Sequence, residues 1–369
     1  MLRSLLVPLL LALPVSAQPR SLLNGKDLQG WEQQGPHPSF STAQRELRTS
    51  GKGHAGNWIF TDSEHQDFRL RFEYKLAQWA EAAVILRAPR SDRPQHAGLT
   101  ITLAHDYHKE STPWITGGIM GVLAPRKVLP PSFNEWHTVE IELRGALCKV
   151  TIDDVILQEL DMARVPALVH RLRMGRIGFP DMGYAYAIRN INVEDFPSPG
   201  TRILDLAPQD SLESWGKRGD SGEWRIENGV IEGLNGHSIL YPPTVLDDFE
   251  LTAVVRTNSR VNAGIFLRGQ PEGPNRGFEV QIYSPVDAVY QTGSIYARQR
   301  STLQADLEGR WFLLQIRVEG KRCTVWVDGQ QTAAIDNLPP EVLKPGRIGL
   351  QIHSDDGRVE FRDLRARPL

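Results

Sequence analysis

The feature that most constrains the fold of this chain is an internal repeat of about 170 residues. The segment "DFRLRFEYKL", which starts at Asp67, returns as "DFELTAVVRT" from Asp248. The offset between matching segments falls from 181 to 171 residues along the chain, as small loop deletions would produce. This period is far longer than that of solenoid repeats, so the chain carries two whole domains of one fold. The Pro and Gly of "DFPSPGTR" (195–202) are typical of a linker, and we expect domains at 20–197 and 201–369.

Each copy has the period-two alternation of β-strands. Phe249, Leu251, Ala253 and Val255 alternate with other residues along one such segment. Short segments of this kind, separated by Gly, Asp, Asn and Pro, predict an all-β antiparallel sandwich. The stretch "RIGLQIHSDDGRVEFRDL" from Arg347 is predicted to be a strand, a turn and a strand, and the sole expected helix is a short one at "PPEVL" after Pro339.

Charge and the first residues bear on partners and location. The formal net charge is −2 and no run of like charges interrupts the chain, which excludes the basic stripe typical of nucleic-acid or anionic-membrane partners. Arg3, a short apolar stretch and "VSA" at 15–17 are typical of a cleavable signal peptide at 1–17. No stretch is long enough to predict a membrane span. We therefore expect cleavage near Ala17 and a secreted or periplasmic protein.

The two cysteines occupy the same position of the repeated strand. Cys148 lies in "ALCKVTIDD" and Cys323 in "KRCTVWVDG", and each alternates with apolar residues. This pattern predicts two buried thiols, each in the core of its own domain and too far from the other to form a disulfide.

A series of motifs resembles a known family. The first copy opens with "LLNGKDLQGW" (22–31), and the second continues through "GEWRIENGVIEG", "NAGIFLR", "GFEVQIY", "TGSIY", "RIGLQIH" and "VEFRDLR". In this order the motifs resemble the 3-keto-disaccharide hydrolase family, over nearly the whole mature chain. The resemblance implies two tandem concanavalin A-like jelly-roll sandwiches, with a sugar groove on a concave sheet. We expect the two sandwiches to pack closely against each other. It also implies an exported enzyme whose partner is an oligosaccharide or glycoside substrate.

Strand alternation selects the residues that would face such a groove. In "GFEVQIY", Phe278, Val280 and Ile282 are expected in the core, which leaves the intervening residues on the opposite face. The same reasoning on "IFLR", "SIYAR" and "RIGLQIH" completes a set suited to sugar hydroxyls: Arg268, Glu279, Gln281, Tyr283, Tyr296, Arg298, Gln351 and His353. Any antiparallel sheet with one wet face would also show such residues.

The repeat helps to decide between these two interpretations. The matching residues of the first copy are, in the same order, Arg87, Thr100, Thr102, Ala104, Met120, Val122, Pro180 and Met182. Only the arginine is kept, whereas the apolar core positions and glycine turns are kept in both copies. We therefore expect the working site in the second copy and a degenerate site in the first.

The substrate that the resemblance implies suggests a mechanism. A ketone at C3 of a glucoside acidifies the C2 proton, so a base can remove it, the anomeric substituent can leave, and water can add back. We expect Glu279 to be the base, alone or assisted by a metal, and His353 to be an acid or base. Arg268 would stabilise the enolate. Gln281, Tyr283, Tyr296, Arg298 and Gln351 would bind the substrate.

Two alternatives remain at this point. One is a non-catalytic, lectin-like protein with two carbohydrate-binding copies, because fold does not fix function. The other is ordinary glycoside hydrolysis, which is disfavoured because Gln281 stands where a second carboxylate would be wanted beside Glu279.

The sequence indicates no particular cofactor. A divalent metal such as calcium could bind at Asp355, Asp356 and Gly357, although such a segment is usually only a turn. Zinc at "HDYH" (105–108) with His96 lacks a supporting ligand pattern. Trp79 and Trp114 could stack on a sugar, although tryptophan in a sandwich is more often core or interface.

Overall fold

The computed structural model describes residues 18–52, 56–104, 110–198, 200, 202–207, 211–272, 276–285, 287–303 and 305–369. The expected signal peptide and the "HDYH" segment lie outside these residues. The first half contains β1 (Arg20–Ser21), β2 (Trp31–Gln34), β3 (Phe40–Ala43), β4 (Glu46–Thr49), β5 (Asn57–His65), β6 (Phe68–Leu76), β7 (Glu81–Ala88), β8 (Leu99–Ala104), β9 (His137–Arg144), β10 (Leu147–Ile152), β11 (Val155–Asp161), β12 (Gly175–Asp181) and β13 (Tyr186–Asp195). The second half contains β14 (Leu204–Asp205), β15 (Gly216–Arg218), β16 (Glu223–Glu227), β17 (Val230–Tyr241), β18 (Val245–Leu246), β19 (Phe249–Thr257), β20 (Ala263–Gly269), β21 (Phe278–Ile282), β22 (Phe312–Glu319), β23 (Arg322–Val327), β24 (Gln330–Ile335) and β25 (Gly346–Pro368).

Helical structure is limited to single 3₁₀ turns in the described residues. Pro340–Val342 forms one of them, as the "PPEVL" motif predicts. The expectation of a single helix is wrong, because three more turns occur in the first half, at Pro94–His96, Met162–Arg164 and Pro166–Leu168. Within the described part of the chain, no helix has the length and hydropathy needed to cross a membrane.

The first half is a two-sheet sandwich. One sheet has the order β11-β10-β9-β6-β13-β4-β3 with β1 beside β13, and the other has the order β2-β5-β12-β7-β8. Neighbouring strands are antiparallel throughout. Their inward-facing residues form one continuous core, so the all-β prediction holds for this half.

The second half repeats this architecture with longer strands. A front sheet contains β15, β17, β18, the first part of β25, β20 and β21, and a back sheet contains β14, β16, β19, β22, β23, β24 and the second part of β25. Both β17 and β25 run through the two sheets, with a register shift between Leu234 and Gly236 where the strands bend. The expected strand, turn and strand after Arg347 is therefore a single bent strand, whereas the first copy divides the same stretch into β12 and β13.

The two cores are separate. Cys148 packs in the core of the first sandwich and Cys323 in that of the second, and both are buried free thiols. Burial raises the pKa of the Cys148 thiol to about 12, so it stays protonated.

The first sandwich packs against the back sheet of the second. Arg365 on β25 forms a 2.6 Å ion pair with Glu64 on β5. The backbone N–H of Asp92 donates to the carbonyl of Trp311 at 2.8 Å, and Gln315 Nε2 donates to the carbonyl of His170 at 2.7 Å. The front sheet of the second sandwich faces the other way.

Candidate functional site

The outer face of the second sandwich's front sheet gathers polar side chains from neighbouring strands. Phe278, Val280 and Ile282 of β21 belong to the core, so Glu279 and Gln281 point outward. The register pairs Gly264 of β20 with Gln281 on one side and Gln351 on the other. Because Gly264 has no side chain, the two amides flank a depression in this face.

Glu279 reaches into that depression. A Cβ added at Gly264 would lie only 2.3 Å from Glu279 Oε1, so the absence of a side chain at Gly264 provides the room for this carboxyl group. Burial raises the pKa of Glu279 to about 7. Among the described residues, none is seen to form an ion pair or a hydrogen bond with the carboxyl group. A half-buried carboxyl group that exchanges a proton near neutrality is suited to general acid–base chemistry.

Of the two amides beside Glu279, one is held by a hydrogen bond and the other keeps an unused acceptor. Gln281 Nε2 donates to Asn262 Oδ1 at 2.8 Å. Gln351 is buried, and its Oε1 has no hydrogen-bond partner among the described residues. An unpaired buried acceptor costs free energy unless a ligand or water donates to it. A sugar hydroxyl is such a donor.

A histidine pair lies farther along the same face. His237 of β17 is in register with His353 of β25, and their ring centroids are 4.4 Å apart. His237 Nε2 lies 2.8 Å from Asp355 Oδ1. Burial, and next the neighbouring His237, lower the pKa of His353, so this imidazole is mainly neutral at pH 7.

His237 and Tyr241 are site residues that the sequence reasoning missed. Tyr241 is fully buried beside Ile239 and Phe266, and its hydroxyl has no hydrogen-bond partner among the described residues. Burial raises its pKa to about 12, while Arg218 and Arg276 act to lower it. The alternation in "NGHSILY" could have revealed both residues. Leu240 points into the core, so His237 and Tyr241, at odd spacing from it, point to the opposite face.

Arg268 is not part of this face, so the structure gives no support to its predicted role in stabilising the enolate. Its φ is +54° and the strand register shifts between Phe266 and Gly269, which turns the side chain away from the groove. The buried guanidinium donates to the carbonyls of Asp247 and Gly320 and to Asp248 Oδ1 at 2.7 Å. Arg268 therefore ties loops to the end of the sandwich.

The first copy explains why this arginine alone survives in the repeat. Arg87 has the same left-handed backbone, with φ of +53°, and donates to the carbonyls of Gln66 and Gly145. Its guanidinium also lies 3.2 Å from Asp67 Oδ1. The position is kept in both copies because it holds the fold together, whether or not a ligand binds.

The other predicted residues lie around the edge of the face. The segment "SIYAR" is a turn beside β21 rather than a strand, joined to it by the hydrogen bond from Tyr296 N–H to the carbonyl of Glu279 at 2.9 Å. Tyr296 is half exposed, and its ring centroid is 5.1 Å from that of Tyr290. Tyr283 follows the end of β21, and Arg298 is exposed to solvent. No contact in the described structure draws Arg298 into the site.

The matching face of the first copy is closed. Met120 N–H donates to the carbonyl of Thr100 at 3.0 Å, as Tyr296 does to Glu279, which confirms the alignment of the two copies at these positions. Thr100 and Thr102 are buried, and their hydroxyls donate to carbonyls of the loops at Gln95 and Pro113. The side chains packed beside this face are apolar: Trp58, Phe60, Ile85 and Ala88.

The candidate metal ligands are not assembled in the described structure. Across the part of the chain that the structure describes, no three His, Cys, Asp or Glu side chains lie together as a metal-ion site. Asp355, considered for calcium, pairs with His237. His105 and His108 lie outside the described residues. The aromatic candidates Trp79 and Trp114 are exposed, on the first sandwich.

Comparison with solved structures finds distant similarity over half of the chain. A candidate glycosyl hydrolase from Parabacteroides distasonis is 16% identical, with a TM-score of 0.43 over 48% of this chain and 94% of that one. A second one from this organism is 19% identical, with a TM-score of 0.42 over 48% and 100% of the two chains. A carbohydrate-binding module from Bacillus subtilis is 13% identical, with a TM-score of 0.34 over 45% and 96%. Comparison with curated proteins gives no match.

The family comparison covers far more of the sequence. The model of the 3-keto-alpha-glucoside-1,2-lyase-like domain matches residues 18–194 and again residues 205–367. These two segments correspond to the two sandwiches and take up most of the chain. The protein therefore belongs to the family of 3-keto-alpha-glucoside-1,2-lyase-like domains, of which it contains two copies.

Proposed function

We propose that this member of a carbohydrate-active family is an exported enzyme that cleaves 3-keto-glycosides at the front sheet of its second sandwich. The observation that carries the proposal is Glu279, a carboxyl group with a pKa of about 7 and no charged partner among the described residues. It lies beside the amides of Gln281 and Gln351, which are suited to sugar hydroxyls.

The chemistry begins with proton abstraction. The ketone at C3 acidifies the proton on C2, and the carboxylate of Glu279 takes that proton while the electron pair of the C–H bond forms the enolate. The enolate then expels the anomeric substituent, so the C1–O bond breaks and a C1–C2 double bond forms. Addition of water across this double bond gives net hydrolysis.

Three further side chains support these steps in the proposal. The neutral imidazole of His353 donates an N–H hydrogen bond to the leaving oxygen, which takes its proton from water. Since Arg268 is engaged elsewhere, we assign enolate stabilisation to Arg276. The charge of Arg276 acts on both Tyr241 and His353, so this residue lies near the face. Tyr296 lies at the open edge, where the leaving sugar would emerge.

The test compares an oxidised and an unoxidised sugar. The purified protein should cleave 3-keto-trehalose and leave trehalose intact, because only the ketone acidifies the C2 proton. Glu279→Gln keeps the shape of the side chain and removes the base, so turnover should fall by about 10²-fold or more. Thr100→Ala changes the matching residue of the first copy and should leave turnover unchanged. Turnover by Glu279→Gln at the wild-type rate would rule out Glu279 as the base.

A second outcome separates catalysis from binding. If the wild type binds 3-keto-trehalose in calorimetry but releases no free sugar over long incubation, the lectin-like alternative is correct. In that case Glu279→Gln and Gln351→Leu should both weaken binding, since hydrogen bonds to the sugar would be the whole function of this face.

A further inference from the structure

A cavity lies between the two sandwiches, away from the candidate site on the front sheet. Its volume is about 760 Å³, within the range of small-molecule sites. The back sheet of the second sandwich forms one wall, and the segment 163–174 of the first forms another. None of the eight predicted site residues lines it, so it is separate from the site of the proposed function.

The charges that line this cavity are not balanced. Seven arginine and four acidic side chains line it, and every one of the four acidic side chains is already paired with an arginine: Glu64 and Asp363 with Arg365, Glu250 with Arg317 and Arg367, and Glu319 with Arg317. Two other arginines, Arg322 and Arg164, pair with aspartates that do not line the cavity. Among the described residues, Arg171 and Arg173 form no ion pair, although the charges of Glu250 and Asp161 act on Arg173 from a longer distance.

Arg173 is the more exceptional of these two arginines. Its Nη1 is buried and has no hydrogen-bond partner among the described residues. Burial is the main cause that lowers its pKa. The charges of Glu250 and Asp161 act to raise this pKa, and those of Arg367 and Arg317 act to lower it. A partly buried guanidinium that forms no ion pair and leaves a buried N–H group unpaired is costly, whereas an oxyanion would match its planar array of N–H donors. Arg171 instead donates to backbone carbonyls, including that of Gly98 at 2.9 Å.

The opposite wall carries an unpaired acceptor. Gln315 of β22 is only 7% exposed, and its Nε2 donates to the carbonyl of His170 at 2.7 Å. Its Oε1 is buried and has no hydrogen-bond partner among the described residues. Gln315 lies on the same face of β22 as Arg317, and the charge of Arg317 acts on Arg173. Gln315 Oε1 and the guanidinium of Arg173 therefore belong to the same cavity.

We propose that this cavity binds a hydroxylated carboxylic acid of the sugar-acid class. The carboxylate lies on Arg173, and a hydroxyl donates to Gln315 Oε1. Trp326, on the same wall as Gln315, supplies apolar surface for the carbon skeleton. Because Arg173 belongs to the first sandwich and Gln315 to the second, the bound acid holds the two sandwiches together.

The test uses sodium glucuronate as the probe, in the absence of any keto-sugar. Glucose is the control that lacks the charge, and phosphate is the control that lacks the sugar skeleton. Glucuronate should raise the melting temperature of the full-length protein in a saturable way and give a calorimetric binding isotherm. Glucose and phosphate at the same concentration and ionic strength should not. An equal rise with glucose would overturn the role of charge, and an equal rise with phosphate would overturn the sugar-acid assignment.

Two variants test the assigned contacts. Arg173→Gln should weaken glucuronate binding by about tenfold or more, the loss expected for a charge-assisted hydrogen bond. Arg322→Gln removes the same charge from an arginine that lines the cavity but is paired with Asp336 at 2.6 Å, so it should bind like the wild type. Equal binding by the two variants, or no saturable binding by the wild type, would refute the proposal. Gln315→Leu, measured in the same way, provides an independent test should Arg173→Gln fail to fold.

Discussion

Glu279 should impose a pH-dependent cost on the stability of the second sandwich. Burial raises the pKa of this carboxyl group from an ordinary value of 4.5 to about 7. Between these two values the unfolded chain releases the proton that the folded chain keeps, so the free energy of unfolding falls as the pH rises. Above pH 7 both states are ionised and the full cost is present. A shift of this size corresponds to about 3 kcal/mol, which we reduce to about 2 kcal/mol because part of the side chain is open to water.

Glu279→Gln removes the ionisable group at nearly constant shape. The variant should match the wild type in stability near pH 4 and be about 2 kcal/mol more stable at pH 8, while it loses turnover. Denaturant unfolding of both proteins at several pH values measures the difference. In the same series, wild-type kcat/KM should rise about tenfold per pH unit below pH 7 and level off above it, since the base acts when ionised.

Either of two results would refute this reasoning. If the stability difference between the two proteins is the same at pH 4 and pH 8, the carboxyl group has an ordinary pKa. If the variant is less stable at pH 8, the ionised carboxylate has a favourable partner in the folded protein. Thr100→Ala serves as the control in the first sandwich and should show no pH-dependent difference.

Three further predictions test the surroundings of this carboxyl group. Gly264→Ala should keep the fold but lower turnover at least tenfold, because the added Cβ displaces the Glu279 carboxyl group. Circular dichroism would check the fold, and the keto-sugar assay would check the turnover. Arg268→Gln should destabilise the protein by about 3–5 kcal/mol in urea unfolding, since the carbonyls of Asp247 and Gly320 lose their donor and Asp248 loses its ion pair. Arg298→Gln should cost less than about 0.5 kcal/mol. His237→Gln should raise the pKa of His353, because the charge of His237 now lowers it; an NMR titration that shows no change or a fall would contradict the pairing of these rings.

Several properties of this protein follow from local sequence pattern. Alternation at Phe278, Val280 and Ile282 predicts both the core face and the outward direction of Glu279 and Gln281, because side chains along a regular strand alternate with a period of two. The repeat predicts two sandwiches, since equivalent residues such as Cys148 and Cys323 occupy equivalent strands. These inferences succeed where the backbone is regular.

Only the tertiary structure decided the rest, for two physical reasons. The positive φ of Arg268 and the adjoining register shift interrupt the alternation of the strand. The side chain of Arg268 therefore points away from the groove, where regular alternation had predicted it. Contacts between distant segments do not appear in any local pattern: His237 meets His353 because β17 pairs with β25, and loops of the first copy cover Thr100 and Thr102. The unbalanced arginines between the sandwiches likewise exist as a site only because two separately folded units enclose them.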